Sequence, residues 1–235
     1  MKALLSWSGG KDSALALHAL RRSGEHEVVG LLTTLSAEHQ RVSMHGVRIE
    51  LIHAQAERLG LPLVTVAMPP YRNLAANDEQ ACPIDLPGNN TYEAAMLAAF
   101  ARAREDGVEA IAFGDIFLED LRDYRERLLA RAGLRGIYPL WQRDTRELLG
   151  EFVAGGWQAV VVCTDGERLP PSWSGRRIDA RFGEELPPSI DPCGERGEYH
   201  SFVYDGPLFS APVPFRKGDV VDRAPFAFCE LLAAG

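Results

Sequence analysis

Six consecutive residues, Ser8-Gly9-Gly10-Lys11-Asp12-Ser13, carry the densest chemistry in the chain. Two glycines remove the Cβ atoms that would hold an anion away from the backbone. The N–H groups of such a turn, and of a helix that starts there, converge on one spot where the helix dipole favours negative charge. Lys11 is expected as a mobile cation on this surface turn, and Ser8 and Ser13 as hydroxyl donors. The pattern is that of a phosphate cradle. It is not a Walker A loop, because Gly10-Lys11 is followed by Asp12 and position 5 is Leu, and no Gly-x-Gly-x-x-Gly is present.

Two further groups stand out. Gly114-Asp115 follows an apolar run, where a glycine lets a ligand approach the backbone. Asp115 can accept from a ribose hydroxyl or a metal-bound water; the plainer alternative is a turn residue capping the next helix. Cys193-Gly194-Glu195-Arg196-Gly197-Glu198-Tyr199-His200 concentrates two carboxylates, an Arg and a His in eight residues, which is costly to bury without a ligand. Glu195 and Glu198 suit an ammonium or a metal, and His200 suits a base near neutral pH. A solvated charged hairpin accounts for the same composition. The series Arg122, Arg125, Arg127 and Arg131 reads as a solvated helix face paired with Glu119, Asp123 and Glu126. His45 is weighed as a nucleotide contact.

The elements that must position these groups follow from periodicity. Residues 2–7 form an apolar strand, 12–23 a helix closed near Gly24, 27–34 a near-continuous apolar strand, 47–59 a helix closed at Gly60, and 62–66 a strand. This βαβαβ order defines a doubly wound parallel sheet, whose ligand sits at the carboxyl ends of the strands. Thr33 and Thr34, ending the second strand, are expected to face the same crevice as the glycine turn. The loop 68–90 is broken by prolines and reads as a functional lid over the cleft or a mobile segment. A long alanine-rich helix follows to about residue 106, then a strand at 109–113 and a helix at 118–132. From residue 134 the texture changes: a connector, a short helix capped by Asp144, a β-prone strand at 157–163, an irregular Pro/Gly/Arg-rich segment, and a strand at 201–205. The soft boundary near 135 divides the chain into 1–135, a nucleotide-binding α/β domain, and 136–235, a substrate-binding domain.

At 235 residues, 46% hydrophobic and 25% charged, the composition is that of a soluble globular protein. A net charge of −8 argues against a general nucleic-acid binder. No apolar run reaches the length of a membrane span, and the short N-terminal stretch does not read as a signal peptide. Four scattered cysteines without a Cys-x-x-Cys pair favour free thiols and a cytoplasmic setting.

Ser8–Ser13 resembles the pyrophosphate loop of the ATP pyrophosphatases. Together with Gly114-Asp115-Ile116, Pro139-Leu140-Trp141 and Gly194-Glu195-x-Gly197-Glu198, it resembles in order and spacing the motifs of the diphthine–ammonia ligase-like family, within the adenine nucleotide α-hydrolase superfamily. The resemblance implies an N-terminal nucleotide-binding α/β domain facing a smaller C-terminal α+β domain across a cleft. It implies ATP and Mg²⁺, adenylation of a small-molecule or protein-borne carboxylate, and displacement of AMP by ammonia. By the resemblance Ser8, Gly9, Gly10, Lys11, Asp12 and Ser13 form the pyrophosphate loop, with Asp12 beside Mg²⁺. Gly114 and Asp115 match the second nucleotide motif, joining Thr33, which the strand order places there, and Glu195, Gly197 and Glu198 match the substrate-side motif, with His200 next to it. The diphthamide enzymes continue the last motif as Gly-Glu-Phe-Glu, whereas this chain has Gly197-Glu198-Tyr199-His200. That departure resembles a sister branch found in bacteria and points to an acceptor other than diphthine. Two alternatives use the same loop: a tRNA-thiolation-type pyrophosphatase, and an ATP-binding regulatory module without turnover. A homodimer is compatible with the chain.

Overall fold

The computed structural model describes residues 1–37, 41–42, 46–68 and 90–234. His45 and nearly all of the expected lid at 68–90 lie outside the described residues.

The first half alternates as the apolar runs dictate: β1 (Lys2–Ser6), α1 (Lys11–Ser23), β2 (Glu27–Ser36), β3 (Arg41–Val42), α2 (Ile49–Leu59), β4 (Leu63–Met68), α3 (Asn90–Glu105), β5 (Ala110–Ala112), α4 (Glu119–Ala132) and β6 (Arg135–Ile137). Five strands pair in parallel in the order β4-β2-β1-β5-β6, and β3 adds a short antiparallel contact at the end of β2. The order reverses between β1 and β5. The crevice of a doubly wound sheet opens at that point, beyond the carboxyl ends of those two strands.

Alternation along each strand sends neighbouring side chains to opposite faces. Leu5, Leu31 and Ala112 join α1 and α2 on one side, while Leu4, Leu32 and Ile111 join α3 and α4 on the other. β2 runs two residues past Thr34, and β6 continues the sheet through Gly136, where the sequence suggested a connector.

The second half contains α5 (Thr145–Ala154), β7 (Gln158–Asp165), a short 3-10 turn at Pro171–Trp173, α6 (Ala180–Glu185), β8 (Tyr199–Asp205), β9 (Phe215–Arg223) and β10 (Phe226–Ala233). Asp144 caps α5 as expected, accepting from the N–H groups of Arg146 and Glu147 at 2.9 Å each. The four strands form an antiparallel sheet in the order β8-β7-β10-β9. Its apolar residues, among them Val161, Phe202 and Leu231, share one buried cluster with Leu5, Trp7, Leu15 and Leu17 of the first sheet and α1. Glu230 on β10 adds an ion pair to Arg41 at 2.7 Å. The fold is thus a doubly wound α/β sheet with a smaller α+β part packed on its α1 side. Among the described residues no helix is long and apolar enough to cross a membrane.

Candidate functional site

The β1–α1 turn lies at the switch point, and its shape requires glycine twice over. Gly9 has φ +81°, and a Cβ there would stand 2.7 Å from Ile52 Cδ1 and 2.8 Å from Gln55 Oε1. Buried Gln55 is the organiser beneath it. Its Oε1 accepts from Trp7 Nε1 at 2.8 Å, and its Nε2 donates to Gly9 O at 3.0 Å and Val203 O at 2.5 Å. Gly114 serves differently from the expectation. A Cβ there would meet the backbone of Asp12 at 2.9 Å, so this glycine lets the β5 loop seat against the start of α1.

β8 closes on the turn from the other sheet. Val203 N–H donates to Gly9 O at 2.9 Å, and Lys11 N–H donates to Ser201 Oγ at 3.1 Å. Gly10 N–H donates to Ser8 Oγ at 3.2 Å, and Ser13 Oγ donates to Gly10 O at 2.8 Å. Several groups of the expected cradle are therefore already engaged.

Lys11 is no surface cation. It is 2% exposed, because Cys193 and Tyr199 cover it. Its Nζ donates to both carboxylate oxygens of Asp12 at 2.8 Å and to the carbonyl of Cys193, and sits 5.2 Å from the centre of the Tyr199 ring. Burial by itself would lower the ammonium, but Asp12 and its other neighbours outweigh this and hold it above the ordinary lysine range. Burial pushes the Asp12 carboxyl up while Lys11 pulls it down. With both oxygens against Nζ and 28% of the Asp12 side chain in solvent, the two stand as an ion pair.

Around this pair gather further carboxylates. Burial raises Asp115 against the pull of Arg125, and Asp12 raises it further. Arg125 Nε lies 3.1 Å from Asp115 Oδ2, yet off the hydrogen-bonding direction, so that buried oxygen has no hydrogen-bond partner among the described residues. Glu195 reaches in from the 191–198 loop and accepts from Ile116 N–H at 2.8 Å. Burial first, then Asp12, push its carboxyl up to about 7, with the Ile116 N–H opposing.

The 191–198 loop is held by two acidic residues. Asp191 Oδ1 accepts from the N–H groups of Cys193 at 2.9 Å and Glu195 at 3.1 Å, and its Oδ2 accepts from Thr145 Oγ1 at 2.8 Å. Glu198, 2% exposed, accepts from Asp191 N–H at 3.3 Å and Arg196 N–H at 3.0 Å. Its carboxylate is turned into its own loop.

Ser8, Gly9, Gly10, Lys11, Asp12, Ser13, Gly114, Asp115 and Glu195 are thus brought to one place. Thr33 is not open to the crevice: it is 1% exposed and donates to Trp7 O at 2.7 Å. Burial, then Lys11, hold His200 on β8 down to about 4, so its imidazole is neutral at pH 7 and a weak base. Glu195 is the group near its titration point at neutrality.

The α4 arginines form the solvated face only in part: Arg127 and Arg131 are exposed, whereas Arg122 and Arg125 turn inward, and among the described residues none has an ion pair with Glu119, Asp123 or Glu126. Arg125 turns to Asp115 and lies 4.2 Å from the centre of the Phe113 ring. Arg122 lies 4.5 Å from the Trp141 ring and 4.8 Å from Tyr138. Arg131 pairs with Glu93 on α3. Sequence reasoning also passed over Gln55, Asp191, Tyr199 and Ser201. Only Asp191 carried a local signal, the turn-forming Asp-Pro-Cys-Gly.

The donor set fits a hard cation. Asp12 and Asp115 offer carboxylate oxygens beside a phosphate-type turn, and Asp115 Oδ2 is a buried acceptor without a hydrogen bond. Among the described residues no group of three His, Cys, Asp or Glu side chains is set to hold a metal alone. Mg²⁺ would need only one or two such carboxylates, its shell being completed by water and phosphate.

A doubly wound sheet with a Ser-Gly-Gly-Lys-Asp-Ser turn at its switch point defines an α/β protein of the adenine nucleotide α-hydrolase type. Family models refine this: the diphthamide synthase N-terminal domain matches residues 1–76 and the diphthamide synthase C-terminal domain residues 144–221. Similar proteins named diphthine–ammonia ligase include those of Bos taurus, 28% identical over 235 residues (94% of this chain, 85% of that protein), and Homo sapiens, 28% over 236 residues (94% and 85%). In Schizosaccharomyces pombe the likeness is 28% over 244 residues, 98% of this chain but 39% of that longer protein. The chain belongs to the diphthine–ammonia ligase-like family. Among solved structures, the U34-tRNA thiolase NcsA of Methanococcus maripaludis is similar at 20% identity, covering 65% of this chain and 56% of that one, with a TM-score of 0.37, too low to carry weight.

Proposed function

We propose that this protein is an ATP-dependent, AMP-forming ligase that adenylates a carboxylate and converts it to an amide with ammonia, on an acceptor other than diphthine. The observation that carries the reading is the meeting of Lys11, Asp12, Asp115 and Glu195 at the switch point, in a chain whose relatives are named diphthine–ammonia ligases. A carboxylate oxygen of the acceptor attacks the α-phosphorus of ATP, and the bond to pyrophosphate breaks. Ammonia then attacks the acyl carbon, AMP leaves, and the new nitrogen gives up a proton.

The turn from Ser8 to Ser13 binds the leaving pyrophosphate, with the start of α1 aimed at it. Asp12 and Asp115 would hold Mg²⁺, which would supply neutralising charge for the phosphates. Lys11 fixes Asp12 and ties the turn to the 191–198 loop. Glu195, hydrogen-bonded to Ile116, is placed to take the proton from nitrogen. Glu198 positions this loop rather than touching substrate. His200 supplies a neutral surface where the diphthamide enzymes carry a carboxylate. Residues 1–135 carry the nucleotide loop and most of the acceptor side comes from 136–235, although the division falls inside β6 (Arg135–Ile137), which belongs to the first sheet.

The test is pyrophosphate release from MgATP with ammonium chloride and a panel of carboxylic acids. Release that requires both an acid and ammonium for amide formation supports the reading. Release that ignores the acid, or none with any acid, overturns it.

A further inference from the structure

Arg122 stands at the carboxyl edge of the first sheet without an anion. Tyr138 and Trp141 follow β6, and Gly114-Asp115-Ile116 follows its neighbour β5, so both loops rim the crevice. The guanidinium lies over both rings, 4.8 Å from Tyr138 and 4.5 Å from Trp141, and the rings meet each other edge-on at 5.9 Å. Arg125, one helical turn on, has Asp115 at 3.1 Å. Among the described residues Arg122 has no carboxylate within 4.0 Å, although Glu119, Asp123 and Glu126 share its helix.

The turn that presents Trp141 is itself unusual. Gln142, next in the chain, has φ 58°, the one positive φ outside glycine among the described residues. Its N–H donates to Ile116 O at 2.7 Å, and Ile116 N–H donates to Glu195. A non-glycine residue is held in the left-handed region only where the surroundings impose it. Here it fixes Trp141, and through it Arg122, against the loop after β5, which carries Asp115 and holds Glu195 through the Ile116 N–H.

A planar, permanently charged fork, pre-ordered over two rings and without a carboxylate partner among the described residues, is suited to bidentate capture of an oxyanion. The geometry points to Arg122 as the residue that reads a second oxyanion on the acceptor. The acceptor is then at least a dianion: one carboxylate is activated, and another carboxylate or a phosphate-type group pairs with Arg122. This rests on the ligase reading for the acceptor's first carboxylate.

The test is calorimetric binding, in the presence of α,β-methylene-ATP, of the dicarboxylates malonate to adipate, of phosphonoacetate and phosphonopropionate, and of monocarboxylates of matched length. Wild type should bind at least one dianion tenfold or more tighter than its matched monoanion. The two dianion series tell carboxylate from phosphonate recognition. Arg122→Gln should erase the preference while changing monoanion and nucleotide affinity less than twofold. Arg122→Lys, which keeps the charge and part of the stacking, should retain a reduced preference and guards against a folding defect in the first variant. No dianion preference in wild type, a preference surviving in Arg122→Gln, or a loss of nucleotide affinity instead would each overturn the inference. Because the readout is binding, an enzyme that forms no AMP sinks the ligase reading separately.

Discussion

The backbone N–H of Lys11 donates to the hydroxyl of Ser201 at 3.1 Å, so the first turn of α1 is capped by a strand from the opposite end of the chain. The Lys11 side chain repeats the connection by donating to Cys193 O while holding Asp12. The glycine turn, proposed as the phosphate site, is therefore also a joint between the two sheets.

Lys11→Met should remove AMP formation by at least about 100-fold, in line with loss of one preorganised charge, and also lower stability. Breaking a buried ion pair from one side costs ~3–5 kcal/mol, because the remaining charge stays uncompensated. Lys11→Met/Asp12→Asn should recover part of that stability and none of the activity. Denaturant midpoints of the two single variants and the double variant check this; strict additivity would contradict the pairing.

Glu195 and Glu198 belong to one motif, but the structure separates them. Glu195→Gln removes a carboxylate facing Asp12 and Asp115, so it should leave nucleotide binding intact and lower turnover. Glu198→Gln puts an amide where two backbone N–H groups need acceptors, so it should destabilise the 191–198 loop by ~1–3 kcal/mol. Thermal melts and acceptor-dependent kinetics of the two variants should diverge in this way. Equal melting temperatures for Glu198→Gln and wild type would refute the positioning role.

His200 gives a pH dependence with a defined sign. Its folded pKa of about 4 lies below the ordinary 6.5, so the unfolded chain binds the proton more readily between those values. The contribution of neutral His200 is fully present above pH 6.5 and is lost as pH falls towards 4. Glu195, raised to about 7, acts in the opposite sense: its contribution is complete below 4.5 and is lost as pH rises through 7. The two overlap, so the informative quantity is a difference. The melting temperature of wild type minus that of His200→Asn should fall steadily from pH 6.5 to 4. Parallel curves would show that His200 carries no such shift.

The α/β frame was legible because parallel strands buried on both faces are continuous apolar runs, and the turn residues Gly24, Gly60 and Gly133 mark the helix ends. The β1–α1 turn was legible because two glycines, one needing positive φ, separate an apolar strand from a helix start. β6 was not: three residues with a central glycine carry no periodicity, and pairing with β5 alone defines them. β9 alternates poorly because it is an exposed edge, Phe-Arg-Lys-Gly-Asp-Val-Val-Asp-Arg, held by β10 on one side. In the site, Lys11 looked like a surface charge because what buries it lies some 180 residues away. The arginines of α4 show the same limit. Helical spacing offered Arg122 and Arg125 acidic neighbours on their own helix, whereas Asp115, Tyr138 and Trp141 were brought to them by the sheet.

Adenylation is tested most directly by oxygen transfer. An acid that supports pyrophosphate release is labelled with ¹⁸O in its carboxylate and turned over with MgATP and ammonium in ordinary water. The account predicts one ¹⁸O in each AMP formed, because the bond between carboxylate oxygen and α-phosphorus survives when ammonia displaces AMP. AMP free of label, or ADP and phosphate as the products, would contradict it.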